Sequence, residues 1–243
     1  VRPEIVDPET TKILLTSNIK YDEKATTKTA TTLKSEVITT ITNYNTNTLS
    51  QFDGVFRFSK LSSLVDATDN SILSNITTLK IRKDFTPTLG SSTKYNIYFR
   101  NALYNPHSGH NSSAGGILES SGFKISGDSS TVFYLDDDGA GNVRRYSFSG
   151  ATRVYANESQ GTIDYSTGAI TINSLSVLSV ENIRGAASTK IELTVKPDSN
   201  DVTPVRDQIL EIDTANSSIT VTADTFVGGS ADAGVGYTTT SSY

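Results

Sequence analysis

The chain has 243 residues, a formal net charge of −5 and only 19% charged residues. It is long enough for one large domain or two small ones with a substantial core. It lacks the basic field that holds nucleic acid or an anionic membrane, so we expect neither as a partner. The absence of cysteine excludes disulfides, thiolate metal sites and cysteine nucleophiles.

Residue usage favours β structure. The chain contains 34 Thr and 32 Ser, more than a quarter of all residues. Threonine favours strands and both residues favour turns, which together indicate a β-rich fold with many short connections. There is no methionine, not even at position 1, so we expect the chain to be a portion of a longer polypeptide. No apolar run is long enough to span a bilayer, and no signal-peptide pattern opens the chain.

The first third of the chain has a mixed α/β pattern, with strand alternation at both ends and helical spacing between them. The predicted strands of this part are 12–21 and 77–83, the second with a basic outer face. Between them we predict an amphipathic helix over about 29–45, with Leu33, Val37, Ile41 and Tyr44 on one face. A second helix follows, capped by Ser59, with Leu61, Leu64, Val65 and Thr68 facing inward.

Beyond Pro87 the helical period disappears and short alternating segments follow one another. The predicted strands are 94–100, 130–135, 142–148, 152–155, 161–165, 169–172, 190–196, 206–212 and 218–222, the last two paired with each other. Ser166-Thr-Gly168 between two of these segments is a strong hairpin signal, because glycine allows a positive φ.

These patterns predict an α+β fold in three parts. The parts are a small α/β lobe (strand, helix, helix, strand) over 1–86, a larger β-rich lobe over 87–225, and a flexible tail over 226–243. The tail prediction depends on its glycine and serine content and its lack of core residues.

An acidic cluster, Asp136-Asp-Asp-Gly-Ala-Gly-Asn142, suggests a calcium loop at first sight. The EF-hand pattern fails in both possible registers. With Gly139 at loop position six, position twelve is Arg145, and with Gly141 there it is Ser147. Two aromatic segments flank the cluster, and Asp, Gly and Asn suit a tight turn. We therefore predict a plain hairpin turn and leave an adventitious cation site as the alternative.

The only two histidines, His107 and His110, share the segment Asn101-Ala-Leu-Tyr-Asn-Pro-His-Ser-Gly-His110. Pro106 and Gly109 disfavour a helix that would place both imidazoles on one face. A catalytic zinc needs three protein ligands, and this segment supplies no third. We therefore predict that the imidazoles hydrogen-bond backbone carbonyls and shape a loop against which Tyr104 and Pro106 pack.

Other catalytic signatures are also missing. A Ser-His-Asp arrangement is not excluded by counting, but no Gly-x-Ser-x-Gly elbow occurs. Gly139-Ala-Gly141 lacks the third glycine and the helix of a phosphate-binding loop. The sequence thus predicts a protein that is not an enzyme, with no catalytic, cofactor-binding or metal-binding residues and no cofactor.

Several segments in a fixed order carry a family resemblance. They are Phe56-Arg-Phe-Ser-Lys-Leu61, Asp69-Asn-Ser-Ile-Leu-Ser-Asn75, Arg82-Lys-Asp-Phe-Thr-Pro-Thr-Leu89, the histidine segment 101–110, Tyr134-Leu-Asp-Asp-Asp-Gly139, Gly161-Thr-Ile-Asp-Tyr-Ser-Thr-Gly168 and Thr203-Pro-Val-Arg-Asp-Gln-Ile-Leu210. Together they resemble the C-terminal portion of the large baseplate wedge subunit of T4-like contractile-tailed phages, related to the baseplate J-like family. The resemblance covers most of residues 1–225.

The resemblance implies a structural protein of the virion tail baseplate, assembled in the host cytoplasm. Subunits of that family pair with each other in a ring around the tail hub, bind other baseplate wedge subunits and carry the signal that starts sheath contraction. It implies no catalytic residues. The family subunit is longer than this chain, in agreement with the missing initiator methionine.

Two other hypotheses remain open at this point. A carbohydrate- or receptor-binding β module of a tail fibre or adhesin would use surface tyrosines, and a metal-dependent hydrolase would use the histidine pair alone. For the baseplate hypothesis we expect a homotypic contact of the β-rich lobe. The aromatic residues that suggest this contact are Tyr95, Tyr98, Phe99, Tyr104, Phe133, Tyr134 and Tyr146.

Overall fold

The computed structural model describes residues 9–110, 115–205 and 208–224. The helices are α1 (Ala30–Tyr44) and α2 (Phe58–Asp66), and α1 continues into a π-helical turn over Asn45–Leu49. The strands are β1 (Glu9–Tyr21), β2 (Ile72–Phe85), β3 (Thr93–Tyr98), β4 (Glu119–Ser120), β5 (Phe123–Ile125), β6 (Asp128–Asp137), β7 (Asn142–Ser149), β8 (Thr152–Asp164), β9 (Ala169–Leu175), β10 (Val177–Val180), β11 (Ile191–Val195), β12 (Gln208–Ile212) and β13 (Ser218–Ala223).

Two helices and many strands confirm the α+β class, and the early strand, helix, helix, strand order is present. The first sheet has the order β12-β1-β2-β11-β4, with β13 also on β1. Strands from beyond residue 190 therefore complete the sheet that β1 and β2 begin. The divisions at 86 and 225 remain predictions, and the predicted tail lies outside the described residues.

The second sheet has the order β10-β5-β6-β7-β8-β9-β3 and is antiparallel throughout. Most of its strands follow one another along the chain and are joined by short turns, as the alternating segments predict. Asp164 pairs with Ala169 across the predicted Ser166-Thr-Gly168 turn, where Gly168 has φ +70°. That hairpin is confirmed.

The helical face predicted for α1 is confirmed. Leu33, Val37 and Ile41 are fully buried, because they recur every fourth residue and face the first sheet. Thr29 is the N-cap, and its side chain accepts a hydrogen bond from the Thr32 amide.

The start of α2 differs from the prediction. Ser59 lies inside the helix, and the first helical amide, that of Phe58, donates to Oδ1 of Asp201 at 2.9 Å. The cap thus comes from a residue 143 positions away, which no local pattern reveals. Leu61 and Val65 are buried as predicted, but Leu64 is 37% exposed, so its inward placement was wrong.

The pairing predicted for the last two strands was also wrong. Both run parallel to β1, where β12 pairs with Glu9–Ile13 and β13 pairs with Thr16–Tyr21. They therefore lie end to end along one edge of β1, and the turn between them interrupts a single strand path. The alternation of apolar and polar residues is the same for two strands that both pair with β1 as for two strands of a hairpin, so it does not distinguish the two arrangements.

The basic outer face predicted for the strand over 77–83 was a third error. Arg82 and Lys83 are buried, with 3% and 4% of their surface exposed. Arg82 Nε lies 3.0 Å from Asp84 Oδ1, and its Nη2 lies 3.0 Å from Asp213 Oδ2. The carboxylate of Glu192 is 3.4 Å from Nη1. Burial is tolerated because these acids, two of them from distant segments, offset the charge.

The buried apolar side chains form one cluster that draws on both sheets and both helices. Within the described ranges, no helix has the length and apolar character needed to cross a membrane.

Candidate functional site

The acidic segment forms the predicted hairpin turn between β6 and β7. The last paired residue of β6 is Asp137, and Gly139 and Gly141 adopt φ values of +73° and +105°. Asp138 Oδ1 accepts hydrogen bonds from the amides of Ala140 at 2.8 Å and Asn142 at 3.0 Å. Burial alone would raise the pKa of Asp138, but the hydrogen bond from the Asn142 side chain, together with these two amides, lowers it overall. The Asp138 carboxylate therefore finds its hydrogen-bond donors within the turn itself.

The first acid of the segment, Asp136, is the centre of a buried ionic cluster. It is 1% exposed. Its carboxylate accepts from Arg144 Nε at 3.0 Å, Arg153 Nη1 at 2.6 Å and the Tyr155 hydroxyl at 3.0 Å. The Arg144 guanidinium also lies 4.1 Å from the Tyr155 ring centre, and that of Arg153 lies 4.6 Å from the Tyr146 ring centre. Three adjacent strands are joined through this one carboxylate.

The second acid, Asp137, connects the turn to the rest of the chain. Its Oδ1 accepts from the Leu118 amide at 2.8 Å, and its Oδ2 accepts from the Tyr165 hydroxyl at 2.5 Å. Burial, and then the hydrogen bond to Asp137, raise the pKa of Tyr165 well above its ordinary value. A Cβ at Gly116 would overlap the Asp137 carboxylate at 1.9 Å, so the segment before Leu118 packs directly on the acid.

The histidine loop packs on this same turn, a contact that the sequence did not indicate. The Gly109 amide donates to the Gly139 carbonyl at 3.0 Å, and Asn105 Nδ2 donates to the same oxygen at 3.1 Å. A Cβ added at Gly139 would lie 1.9 Å from the carbonyl oxygen of His110. Two segments that sequence analysis singled out separately therefore form one contact.

The imidazoles of His107 and His110 contact each other, with Nε2 and Nδ1 3.3 Å apart. His107 Nδ1 also lies 3.3 Å from the Ser108 carbonyl. Tyr104 packs edge-on against His110 at 5.6 Å between ring centres, and Lys196 Nζ sits 3.6 Å from the centre of the Tyr104 ring.

The described part of the chain contains no group of three or more His, Asp or Glu side chains able to hold a metal ion. The third ligand that a hydrolase reading of the histidine pair requires is thus missing there. That the imidazoles act only as loop-shaping hydrogen-bond partners stays a prediction.

The aromatic residues expected at an interface separate into core and surface. Phe99, Phe133 and Tyr146 are buried, whereas Tyr98 is 47% exposed. The three other predicted residues, Tyr95, Tyr104 and Tyr134, are half-buried. In the sequence, an aromatic residue that fills the core looks the same as one that anchors an interface, so the prediction included both kinds.

Sequence analysis missed Phe148, which is 50% exposed. Its ring centre lies 5.4 Å from those of both Tyr134 and Tyr146, and Tyr155 extends the group. We call these four residues the aromatic cluster. Its signal in the sequence was the alternation of Tyr146 with Phe148, which places both rings on one side of β7.

Comparison with known protein families gives one match. Residues 12–84 match the family described as baseplate structural protein gp6, C-terminal domain III. The matched segment runs from within β1 to within β2 and includes α1 and α2. These are the elements of the predicted first lobe. No curated protein matches the chain. The family match supports a structural role in a phage baseplate and a location in the tail baseplate of the virion.

Proposed function

We propose that the protein is a structural subunit of the baseplate wedge of a contractile-tailed phage, of the T4-like kind related to the baseplate J-like family. In this proposal it pairs with a second copy within the inner ring around the hub and binds other wedge subunits. It also transmits the trigger for sheath contraction after assembly in the host cytoplasm. The observation that carries the proposal is the family match over residues 12–84.

The distribution of charge in the described residues supports a structural role. The most buried ionic groups, around Asp136 and Arg82, are occupied by partners within the chain. The Asp136 group joins three consecutive strands, and the Arg82 group joins segments that are distant in sequence. Such groups hold one arrangement of the backbone, which suits a subunit that must pass force between neighbours.

The aromatic cluster supports the proposed contact between copies. Phe148 is half exposed beside the partly buried Tyr134, and large aromatic side chains are typical anchors of protein interfaces. In sedimentation velocity of the full chain we expect a concentration-dependent dimer, and Phe148→Ser should shift it to monomer. Phe52→Ser, at another exposed phenylalanine, is the matched control. A wild-type monomer at all concentrations would contradict the homotypic contact.

The test of the main proposal is co-purification of the full chain with the other baseplate wedge subunits of the same phage. We expect a stable complex that survives size-exclusion chromatography. If the chain remains alone while the other subunits assemble without it, the wedge role is wrong.

A carbohydrate- or receptor-binding module is the second candidate. The exposed ring of Tyr98 supports it, because a solvent-facing aromatic ring can stack on a sugar. A glycan array on the full chain separates the two candidates. Specific glycan binding without complex formation would favour the second.

A further inference from the structure

The outer edge of β3 is a long open strand edge. Among the described strands β3 pairs only with β9, and it ends the second sheet. The Phe99 amide donates to the Gly168 carbonyl at 2.8 Å, which fixes the hydrogen-bonding phase of the antiparallel pair. Hydrogen-bonded and non-hydrogen-bonded positions alternate along an antiparallel strand. The backbone N–H and C=O groups of Tyr98 and Asn96 therefore do not bond to β9 and point away from the sheet. Both residues are exposed.

Within the described residues no second strand pairs with this edge, whose protection consists of Lys94 and a register shift between Thr93 and Tyr95. It spans six residues without proline, whereas the edge strand β4 of the first sheet has only two. Natural proteins shorten, bend or cover an edge unless a partner uses it. An edge of this length that pairs with no further strand in the described chain is a template for one more strand.

A groove of about 550 Å³ adjoins the edge, lined by Tyr98, Arg100, Thr167, Ala169 and Val205. The Arg100 guanidinium lies 5.8 Å from the Tyr98 ring centre. Arg100 also has φ +57°, a left-handed conformation that costs free energy for a residue with a Cβ and that is concentrated at binding sites. Tyrosine and arginine are the residue types that dominate interface energetics.

The charge of the edge is positive. Lys94 lies on the same face of β3 as Asn96 and Tyr98, and Arg100 follows that row. The ion pairs found between described residues include neither Lys94 nor Arg100. Asp164, the last residue of β8, accepts hydrogen bonds from Ser166 and Thr167 and contributes one negative charge, which leaves the two cations in excess. Two cations thus flank an open strand edge with no ion-pair partner in the described chain.

We infer that the β3 edge binds an extended, acidic segment of a partner protein as an additional strand. The partner backbone pairs with the outward groups of Asn96 and Tyr98. An apolar side chain enters the groove beside Val205, and carboxylates pair with Arg100 and Lys94. Only the identity of the partner, another baseplate component, rests on the proposed function. Capture of an acidic strand is a property of the chain itself.

The test uses the full chain and a terminally blocked peptide, Thr-Glu-Thr-Val-Thr-Glu-Thr, in which strand alternation places both glutamates and the valine on one face. A twin peptide carries Lys in place of Glu. Hydrogen exchange of the segment 93–98 is measured with and without each peptide. We expect the glutamate peptide to slow exchange of the Asn96 and Tyr98 amides and the lysine twin to leave it unchanged. Because Arg100→Glu removes one exposed ion pair and replaces it with a repulsion between like charges, it should weaken binding about fivefold.

Two pairs of variants separate the mechanism from damage to the fold. Asn96→Pro removes an outward N–H, a position where an edge strand tolerates proline, and should abolish binding. Asn96→Thr keeps the N–H while losing the amide that accepts from Thr171, and should bind like wild type. Lys34→Glu, on the exposed face of α1, is the charge control for Arg100→Glu.

Equal binding of the two peptides, unchanged binding by Asn96→Pro, or protection of a different strand would overturn the inference. Protection that rises with protein concentration in the absence of peptide would assign the edge to a second copy and also overturn it. The assay contains no wedge subunit, so its result is independent of the co-purification test.

Discussion

Removing the charge of Asp136 should be among the most destabilising single substitutions in the second sheet. Asp136→Asn keeps the size of the side chain but removes the negative charge that faces the buried Arg144 and the partly buried Arg153. Breaking a buried ion pair by removing one partner costs about 3–5 kcal/mol, because the remaining charge stays buried without compensation. The lost hydrogen bonds are part of that figure, since they belong to the same group.

For a chain of this size about 4 kcal/mol corresponds to a decrease in Tm on the order of 10 °C. The assay is urea and thermal unfolding followed by far-UV circular dichroism. Glu158→Gln, an exposed carboxylate-to-amide change on β8, is the matched control, and we expect a change within about 0.5 kcal/mol. An Asp136→Asn variant that unfolds at the wild-type urea concentration would refute the view that this cluster holds the three strands together.

Three further outcomes are expected. Gly139→Ala should lower the free energy of unfolding far more than Gly127→Ala. Both glycines have positive φ, but only at Gly139 would the added Cβ meet backbone, the His110 carbonyl oxygen at 1.9 Å. Urea unfolding of the two variants measures the difference. Asp201→Ala should cost about 1 kcal/mol by the same measurement, through loss of the cap on α2. Hydrogen bonds from Ser166 and Thr167 lower the pKa of Asp164 to about 2, below its unfolded value, so its contribution to stability is present above about pH 4 and lost as the pH falls towards 2. Unfolding midpoints for wild type and Asp164→Asn should therefore converge over that pH range, and a constant difference would contradict the assignment.

The parts of the fold that the sequence predicted are those in which the signal is local. The helical face of α1 repeats within three turns, and the turn after Asp137 carries its own glycines and hydrogen-bonding side chains. The errors concern partners that are distant along the chain. Arg82 and Lys83 look like surface residues in the sequence, and only the fold brings Asp213 to Arg82 and Glu9 to Lys83.

The candidate site follows the same rule. Sequence analysis found the histidine segment and the acidic turn, because unusual residues mark both. Their contact through Gly139 joins residues about 30 positions apart and leaves no pattern in either segment. The aromatic cluster was found only in part, since strand alternation tells which residues share a face but does not tell which face is covered.

The position of β12 and β13 along β1 has a consequence for how the chain folds. β1 leaves the ribosome well before its parallel neighbours, which lie about 200 residues later in the chain. Parallel pairing at such separation is slow, because a long loop must close before any contact forms. Until then one side of β1 remains an unpaired edge, prone to pair with other chains. We therefore expect the segment 12–84, expressed alone, to aggregate, and the full chain to fold in a late step that begins only after synthesis passes residue 223.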